Sequence, residues 1–153
     1  MSNRSKLLDD VDIKILDTLQ EDADLTYAEI AKRVGVSPST VYMRIRKLKD
    51  QGFIKRLVAV VDPDLLGYKL KALLFMTIDI KKFNKVVENL SSIPQVKSIY
   101  DVTGEWSLVC TLLVKDHTEL SKLLDQIGSI DGVLNTSTLV VLRVLKEDNK
   151  VLP

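Results

Sequence analysis

A thirteen-residue amphipathic segment, Ser37–Lys49, sets the first structural requirement of this chain, because its apolar stripe must be buried while its basic residues stay in water. Its first residue is a good N-cap, since a serine hydroxyl can accept a bond from a free backbone N–H of the first turn. Pro38 suits the next position, where no donor is needed. The spacing i, i+4 and i+7 places the apolar residues on one helix face. That stripe consists of Val41, Ile45 and Leu48.

The opposite side of this helix offers hydroxyls, a methionine and positive charge. These are the donors and apolar contacts that a helix in a DNA major groove needs. With the flanking positions, the candidates for DNA contact are Ser37, Ser39, Thr40, Met43, Arg44, Arg46 and Lys47. In most basic amphipathic helices the charged side simply faces solvent while the apolar side packs. The neighbouring segments must therefore decide between a DNA-binding helix and an ordinary solvated one.

Two further helices are predicted before this segment. Apolar residues recur at a helical period from Leu7 to Gln20, with Asp9 as a possible cap. The sequence from Thr26 to Glu29 matches a capping box and predicts a second, shorter helix that ends before Gly35. These lengths are typical of a helix-turn-helix, in which the helix beginning at Ser37 would be the recognition helix.

Charge is distributed unevenly, although the formal net charge is only +1. Residues 9–29 contain eight acidic side chains and one basic one, whereas residues 32–56 contain eight basic side chains and one acidic one. Positive charge is therefore concentrated around the predicted recognition helix, where a polyanion would bind.

A wing is predicted next. Gly52 should end the recognition helix, and the β-branched residues of Phe53–Val61 indicate a strand. Lys55 and Arg56 on this strand could contact phosphates, or they could be ordinary charges that protect a strand edge from unwanted pairing. The sequence leaves these two interpretations equally open.

The remaining chain predicts a second domain of α+β class. Asp62–Gly67 has turn-forming residues, so we expect a winged helix-turn-helix domain at 1–61, a linker at 62–68 and a second domain at 69–153. Alternating and helical patterns predict strands at 69–80, 96–103, 106–114 and 133–146, and helices at 83–90 and 117–130. Gly104-Glu105 would form a tight hairpin connection. The order βαββαβ is that of the ferredoxin-like fold, a four-stranded antiparallel sheet with two helices on one face.

The strands look too apolar for the second face of this sheet to be in water. The residues behind this expectation are Leu74, Met76, Val109, Leu113, Val141 and Leu145. We expect a second copy of the chain to cover the open face, and the resulting homodimer would carry the two recognition helices that a twofold DNA site requires.

Several spaced motifs occur in a fixed order along the chain: 8–16, 28–41, 44–48, 52–54, Val96, Thr103-Gly104 and Gly132-Val133. Together they resemble the Lrp/AsnC, or feast/famine, family of prokaryotic transcription regulators. The resemblance covers nearly the whole chain. It implies a winged helix-turn-helix, an effector-binding domain of ferredoxin-like fold, dimers that assemble into tetramers or octamers, and often an amino acid bound between dimers.

The resemblance also points to an effector region around the loop between the second and third strands of the second domain. The family usually has Gly, any residue, an aromatic residue and Asp there, whereas this chain reads Gly104-Glu105-Trp106-Ser107 and lacks the aspartate. Glycine backbone groups and threonine hydroxyls can bind the carboxylate and ammonium of an amino acid. The candidate lining residues are Tyr100, Val102, Gly104, Glu105, Trp106, Thr136 and Thr138. Taken individually, each threonine is better explained by strand propensity, and Trp106 by core packing.

The preferred function is a sequence-specific transcription regulator that binds double-stranded DNA and whose oligomer is modulated by a small effector, an amino acid. The alternatives are an effector-independent architectural DNA-binding protein and, less favoured, an enzyme similar to sirohaem decarboxylases. We expect no enzyme activity, cofactor or metal, because His117 has no companions at metal spacing and no nucleophile–base pair occurs. The single Cys110 should be a buried small hydrophobe. With no signal peptide and no apolar run long enough for a bilayer, we expect a cytoplasmic protein that does not bind membranes.

Overall fold

The structure, a computed structural model, describes residues 8–152. The chain forms two compact units, one made of residues 8–60 together with 146–152, and the other of Val61–Leu145. The second unit thus begins one residue before the linker that the sequence predicts. The last residues of the chain belong to the first unit, whereas the sequence placed them in the second.

Side-chain contacts explain why the C-terminal residues belong to the first unit. Lys150 Nζ lies 2.8 Å from Asp17 Oδ1 and 3.1 Å from Glu21 Oε1. The backbone N–H of Val151 donates to Gln20 Oε1 at 2.7 Å. The tail is therefore held to the first helix by two ion pairs and a hydrogen bond.

The first unit contains three helices, α1 at Asp10–Glu21, α2 at Tyr27–Val34 and α3 at Pro38–Asp50. Each begins where the sequence supplies a cap, and the capping boxes of α1 and α2 are both formed. The sequence-predicted start of the first helix at Leu7 lies outside the described residues. The three helices bury one apolar core, made of Ile15, Leu19, Ile30, Ala31, Val34, Val41, Ile45, Leu48 and Ile54.

The prediction of a wing strand at Phe53–Val61 is wrong for the single chain. Residues 54–61 form neither helix nor strand. Val58, Val60 and Val61 are 60%, 87% and 61% exposed. A strand requires a hydrogen-bonded neighbour, and residues 8–152 supply none here, so β-propensity alone does not produce a ladder.

The second unit contains four strands and two α-helices. In chain order they are β1 at Leu70–Ile78, α4 at Phe83–Ser91, β2 at Val96–Asp101, β3 at Leu108–Val114, α5 at His117–Gly128 and β4 at Val133–Val140, with a short 3₁₀ helix at Ile80–Lys82 before α4. The sheet order is β2-β3-β1-β4 and every pairing is antiparallel. This is the ferredoxin-like α+β arrangement that the sequence predicts.

Two local predictions in this unit are wrong. The connection between β2 and β3 is a loop over residues 102–107, longer than a two-residue hairpin at Gly104-Glu105. The last strand ends at Val140, although the sequence extends it to Lys146; just beyond it, Val141 N–H bonds to Lys71 O of β1 at 2.9 Å. Residues 141–152 form no helix or strand.

Alternation along the strands decides which side chains face the helices. In β1 and β3 every second residue is buried, and this set includes Leu74 and Met76, which are 0% exposed. The prediction that Leu74 and Met76 contribute to an open apolar face is therefore wrong, since both form the core under the helices. The partly buried residues between them, Leu73, Phe75, Val109 and Leu113, lie on the open face instead.

Candidate nucleic-acid interface and ligand-binding region

Helix α3 begins at a well-formed cap. The hydroxyl of Ser37 accepts the backbone N–H of Thr40 at 3.2 Å, and Pro38 occupies the first turn. The Ser37 hydroxyl also lies 3.0 Å from Ser39 Oγ and 2.8 Å from Thr40 Oγ1. Three hydroxyls are thus gathered at the positive end of the helix dipole, an arrangement suited to an anionic oxygen such as a phosphate.

Hydrogen bonds fix both ends of α2. Thr26 N–H donates to Glu29 Oε2 at 2.8 Å, its hydroxyl donates to the same oxygen at 2.7 Å, and these bonds lower the pKa of the Glu29 carboxyl. Gly35 has φ +82°, a left-handed conformation that favours glycine, and its N–H bonds to Ala31 O at 2.8 Å. A capped helix, a glycine turn and a second capped helix therefore form the helix-turn-helix.

The apolar stripe of α3 is buried and the predicted reading side is exposed. Val41 and Leu48 are 0% exposed, whereas Met43 is 60% exposed. The other exposed candidates are Ser37, Ser39, Arg46 and Lys47, while Thr40 is partly buried. The helix therefore presents hydroxyl, thioether and cationic groups to solvent along one side.

Arg44 differs from the other candidates because it pairs with α1. Its Nη1 lies 2.5 Å from Asp9 Oδ2 and 3.1 Å from Asp12 Oδ1. The two carboxylates raise the pKa of Arg44, with the Asp9 hydrogen bond as the largest cause. The Asp9 pKa is lowered, first by the Asp12 backbone N–H and then by Arg44.

Lys55 and Arg56 are exposed in the unpaired segment after α3. Because no strand forms there in the single chain, protection of a strand edge does not account for their charges in this state. Both remain candidates for phosphate contact.

Sequence reasoning did not single out two exposed aromatic side chains of the same unit. Tyr27 and Tyr42 are each 45% exposed, and their rings pack edge to face with centroids 5.8 Å apart. Tyr42 directly precedes Met43, about 100° around the helix, so the helical period places it beside the reading side. An exposed tyrosine next to the basic residues was the signal that could have identified it.

The predicted effector residues lie in the second unit, and the β2–β3 loop carries most of them. Gly104 is exposed with φ +112°, and Glu105 beside it is exposed as well. Val102 N–H donates to Ser107 O at 3.1 Å, which closes the loop, and Ser107 N–H donates to Met76 O at 2.9 Å. Ser107 thus anchors the loop to β1 through its backbone N–H. This bond forms with serine at the position where the family usually has aspartate.

The structure does not bring all predicted effector residues together. Trp106 packs against Phe75 on the open face of the sheet, with ring centroids 5.9 Å apart. Thr136 and Thr138 pair with Met76 and Leu74, which point toward the helices. Because paired residues share a face, both threonines lie on the side opposite Trp106.

Tyr100 completes the set on the open face. It pairs with Val109 and is 57% exposed. One chain therefore provides two partial surfaces, with Trp106 and Tyr100 on the open face and the two threonines on the other, rather than one enclosed pocket.

The other reactive side chains named from the sequence are Cys110 and His117. Cys110 is buried, as the sequence predicts, and burial raises its pKa to about 11. His117 is the first residue of α5, whose cap is Asp116. Within residues 8–152 no cluster of His, Cys, Asp or Glu side chains could hold a metal ion. No helix in the same range is long and apolar enough to cross a membrane.

Two protein-family models match different parts of the chain, one a DNA-binding domain and the other a ligand-binding domain. Residues 8–55 match the winged helix-turn-helix DNA-binding model, and residues 71–151 match the Lrp/AsnC ligand-binding domain. The match to the first covers all three helices of the first unit. The match to the second includes all four strands of the sheet apart from Leu70, the first residue of β1.

Relatives and solved structures agree with this division. The transcriptional regulators FL11 of Pyrococcus furiosus and Pyrococcus horikoshii are 37% and 38% identical to this chain, over 95% and 94% of it and 96% and 95% of their own lengths. The regulator NMB0573 of Neisseria meningitidis, solved in complex with L-Met, superposes with a TM-score of 0.89 at 30% identity, over 93% of this chain and 94% of that one. Escherichia coli AsnC superposes with a TM-score of 0.88 at 30% identity, over 95% and 99%. The chain belongs to the Lrp/AsnC family and is a transcription regulator with a DNA-binding helix-turn-helix and a ligand-binding domain.

Proposed function

We propose that this regulator binds DNA sequence-specifically by placing the outer side of α3 in the major groove. The observation that carries the proposal is the division of α3 into a buried apolar stripe and an exposed side with Ser39, Met43 and Arg46. Arg46 can donate two bonds to a guanine edge, and Met43 can contact a thymine methyl. This pattern supports direct reading of bases.

Phosphate contacts would orient the helix. Lys47, Lys55 and Arg56 are exposed cations on or just after α3, and the hydroxyls of Ser37 and Thr40 lie at its N-terminus. Contacts of this kind contribute affinity on any sequence and make binding depend on salt. They do not by themselves select a site.

Arg46→Ala tests the assignment of base reading. On a duplex selected from a random pool, the substitution should weaken binding by ~1–3 kcal/mol, and on a random duplex it should change binding much less. Lys14→Ala, which removes an exposed charge from α1, is the control and should leave the ratio of the two affinities unchanged. Equal losses on both duplexes for Arg46→Ala would reassign this residue to a phosphate. A wild-type protein without preference for any duplex would favour the architectural alternative.

A homodimer formed through the open sheet face is the second part of the proposal. Leu73, Phe75, Val109 and Leu113 make this face apolar, and Leu139 is 56% exposed at its edge. A second copy would remove this surface from water, and two copies carry two recognition helices. Further assembly of dimers into tetramers or octamers belongs to the same proposal.

Sedimentation of a charged variant tests the dimer. Val109→Lys places an ammonium on the open face and should shift the protein to monomer, because an unpaired charge is costly to bury. Ile80→Lys, a matched change at a residue that is 77% exposed before α4, should leave the assembly intact. An unchanged oligomer with Val109→Lys would contradict an interface at this face.

We further propose that the effector is an amino acid and that it binds near the β2–β3 loop. Support comes from the ligand-binding domain match and from the neighbour solved with L-Met. Because one chain holds only partial surfaces, a second copy would complete the site. Isothermal calorimetry with each of the twenty amino acids should give heat for at least one of them, and Trp106→Ala should abolish it. Silence across all twenty would overturn this part of the proposal and leave DNA binding untouched.

A further inference from the structure

Arg44 occupies a position on α3 that is unlike those of its basic neighbours. At about 100° per residue, Arg44 lies about 65° from the centre of the buried stripe, whereas Met43 and Arg46 lie more than about 130° from it. Its side chain is only 30% exposed. Arg44 is therefore at the boundary where α3 meets another helix and not on the outer side.

The carboxylate of Asp12 needs a cation at this boundary. Asp12 is 1% exposed, and an ionised group removed from water is stable only when charge and hydrogen bonds compensate it. Arg44 Nη1 supplies both at 3.1 Å. The pair joins residues 32 positions apart and links the first turn of α1 to the middle of α3.

Asp9 extends this pair into a three-residue cluster. Asp9 Oδ1 accepts the backbone N–H of Asp12 at 2.9 Å and so caps α1, while its Oδ2 accepts from Arg44. One guanidinium thus binds both carboxylates of the capping box. Because two negative charges already neutralise Arg44, it has little charge left to replace a counterion on DNA.

We propose that Arg44 is a positioning residue, which holds the first turn of α1 against α3 and so sets the orientation of Met43 and Arg46 without contacting DNA. The inference rests on the proposed function, in which the outer side of α3 binds DNA. Removal of Arg44 leaves Asp12 buried and unpaired, and the strain is relieved by movement of α3 relative to α1. Affinity then falls because the reading side chains no longer meet their partners together.

The salt dependence of DNA binding distinguishes positioning from contact. In full-length protein and on a selected duplex, Arg44→Met should weaken binding between 50 and 200 mM salt while leaving the slope of log K against log salt unchanged. Lys47→Met removes an exposed charge from the same helix and should reduce that slope by about 0.9, the value for one lost phosphate contact. A slope for Arg44→Met that falls like that of Lys47→Met would overturn the inference.

A second substitution tests whether Arg44 acts through Asp12. Adding Asp12→Asn to Arg44→Met removes the unpaired carboxylate, and coupling between contacting residues should restore affinity by between about 2-fold and 150-fold. The double variant buries no unpaired charge, so it provides the same slope measurement if Arg44→Met does not fold. Additive losses would show that Arg44 does not act through Asp12 and would contradict positioning. If the wild-type protein selects no duplex, the proposed function itself is refuted. If the wild-type protein binds selectively but Arg44→Met has a reduced salt slope, only the positioning role of Arg44 is refuted.

Discussion

Gly132 lies at the connection between α5 and β4, where the structure leaves no room for a side chain. Its substitution by alanine should lower the free energy of unfolding through two separate contributions, one from backbone conformation and one from steric overlap. Its φ is +106°, and a Cβ atom would lie 2.8 Å from Lys82 Cβ and 2.9 Å from Val86 Cγ2. Val86 is 0% exposed in the core, so it has little room to move. The left-handed backbone costs about 1–2 kcal/mol for a residue with a Cβ, and overpacking adds about 1–3 kcal/mol.

Gly132→Ala should therefore destabilise the second unit by ~2–5 kcal/mol, which lowers Tm by about 8–40 °C for a domain of this size. Trp106 is the only tryptophan in the chain, and it lies in this unit, so its fluorescence during thermal or urea unfolding reports on the affected part. Gly104→Ala is the matched control. Gly104 has φ +112° but nothing within 4 Å of the added Cβ, so only the backbone cost of about 1–2 kcal/mol should appear.

The difference between the two variants isolates the steric contribution. We expect Gly132→Ala to lose about 1–3 kcal/mol more than Gly104→Ala. Equal losses would refute the argument that Lys82 and Val86 close the space around Gly132, and would leave backbone conformation as the sole cause.

Three further predictions concern single side chains. Lys150→Met should lower the Tm of the first unit slightly, because it removes ion pairs that water and salt partly screen, while the exposed Lys146→Met should leave the Tm unchanged. Equal effects of the two variants in calorimetry would show that the tail contacts do not stabilise the first unit. Thr26→Ala should lower the free energy of unfolding in urea by ~1 kcal/mol, and Thr26→Ser should lower it much less, since serine keeps the capping hydroxyl. A Ser variant as unstable as the Ala variant would contradict the capping role. Burial raises the pKa of Cys110 from 9.0 to about 11, so the thiol ionises at lower pH in the unfolded chain, and the free energy of unfolding should fall as pH rises from 9 to 11. Cys110→Ala should show a shallower fall in the same titration. An identical pH slope would show that the burial of this thiol does not contribute to the pH dependence of stability.

The sequence predicts features that depend on neighbouring residues. The caps at Ser37 and Thr26 are local hydrogen bonds between groups three residues apart, so their pattern is visible without a structure. The ferredoxin-like order follows in the same way from the succession of strand and helix periods. Both predictions are confirmed.

Features that depend on distant partners were less accessible. The segment Phe53–Val61 has strand propensity, but whether it pairs depends on a neighbouring strand, and the described part of the chain provides none. Trp106 and Thr136 fall on opposite faces because of the register of β4, and a shift of one residue would reverse that result. The inward direction of Arg44 depends on Asp9 and Asp12, which lie more than thirty residues away.

Selection of bound duplexes from a random pool by the full-length protein, with and without a mixture of amino acids, tests the central proposal most directly. Two recognition helices in a symmetric dimer should enrich two inverted half-sites whose centres are about 10–10.5 base pairs, or a multiple of that spacing, apart. The yield of bound duplex should change when amino acids are present. A pool that remains random under both conditions would contradict sequence-specific recognition by α3.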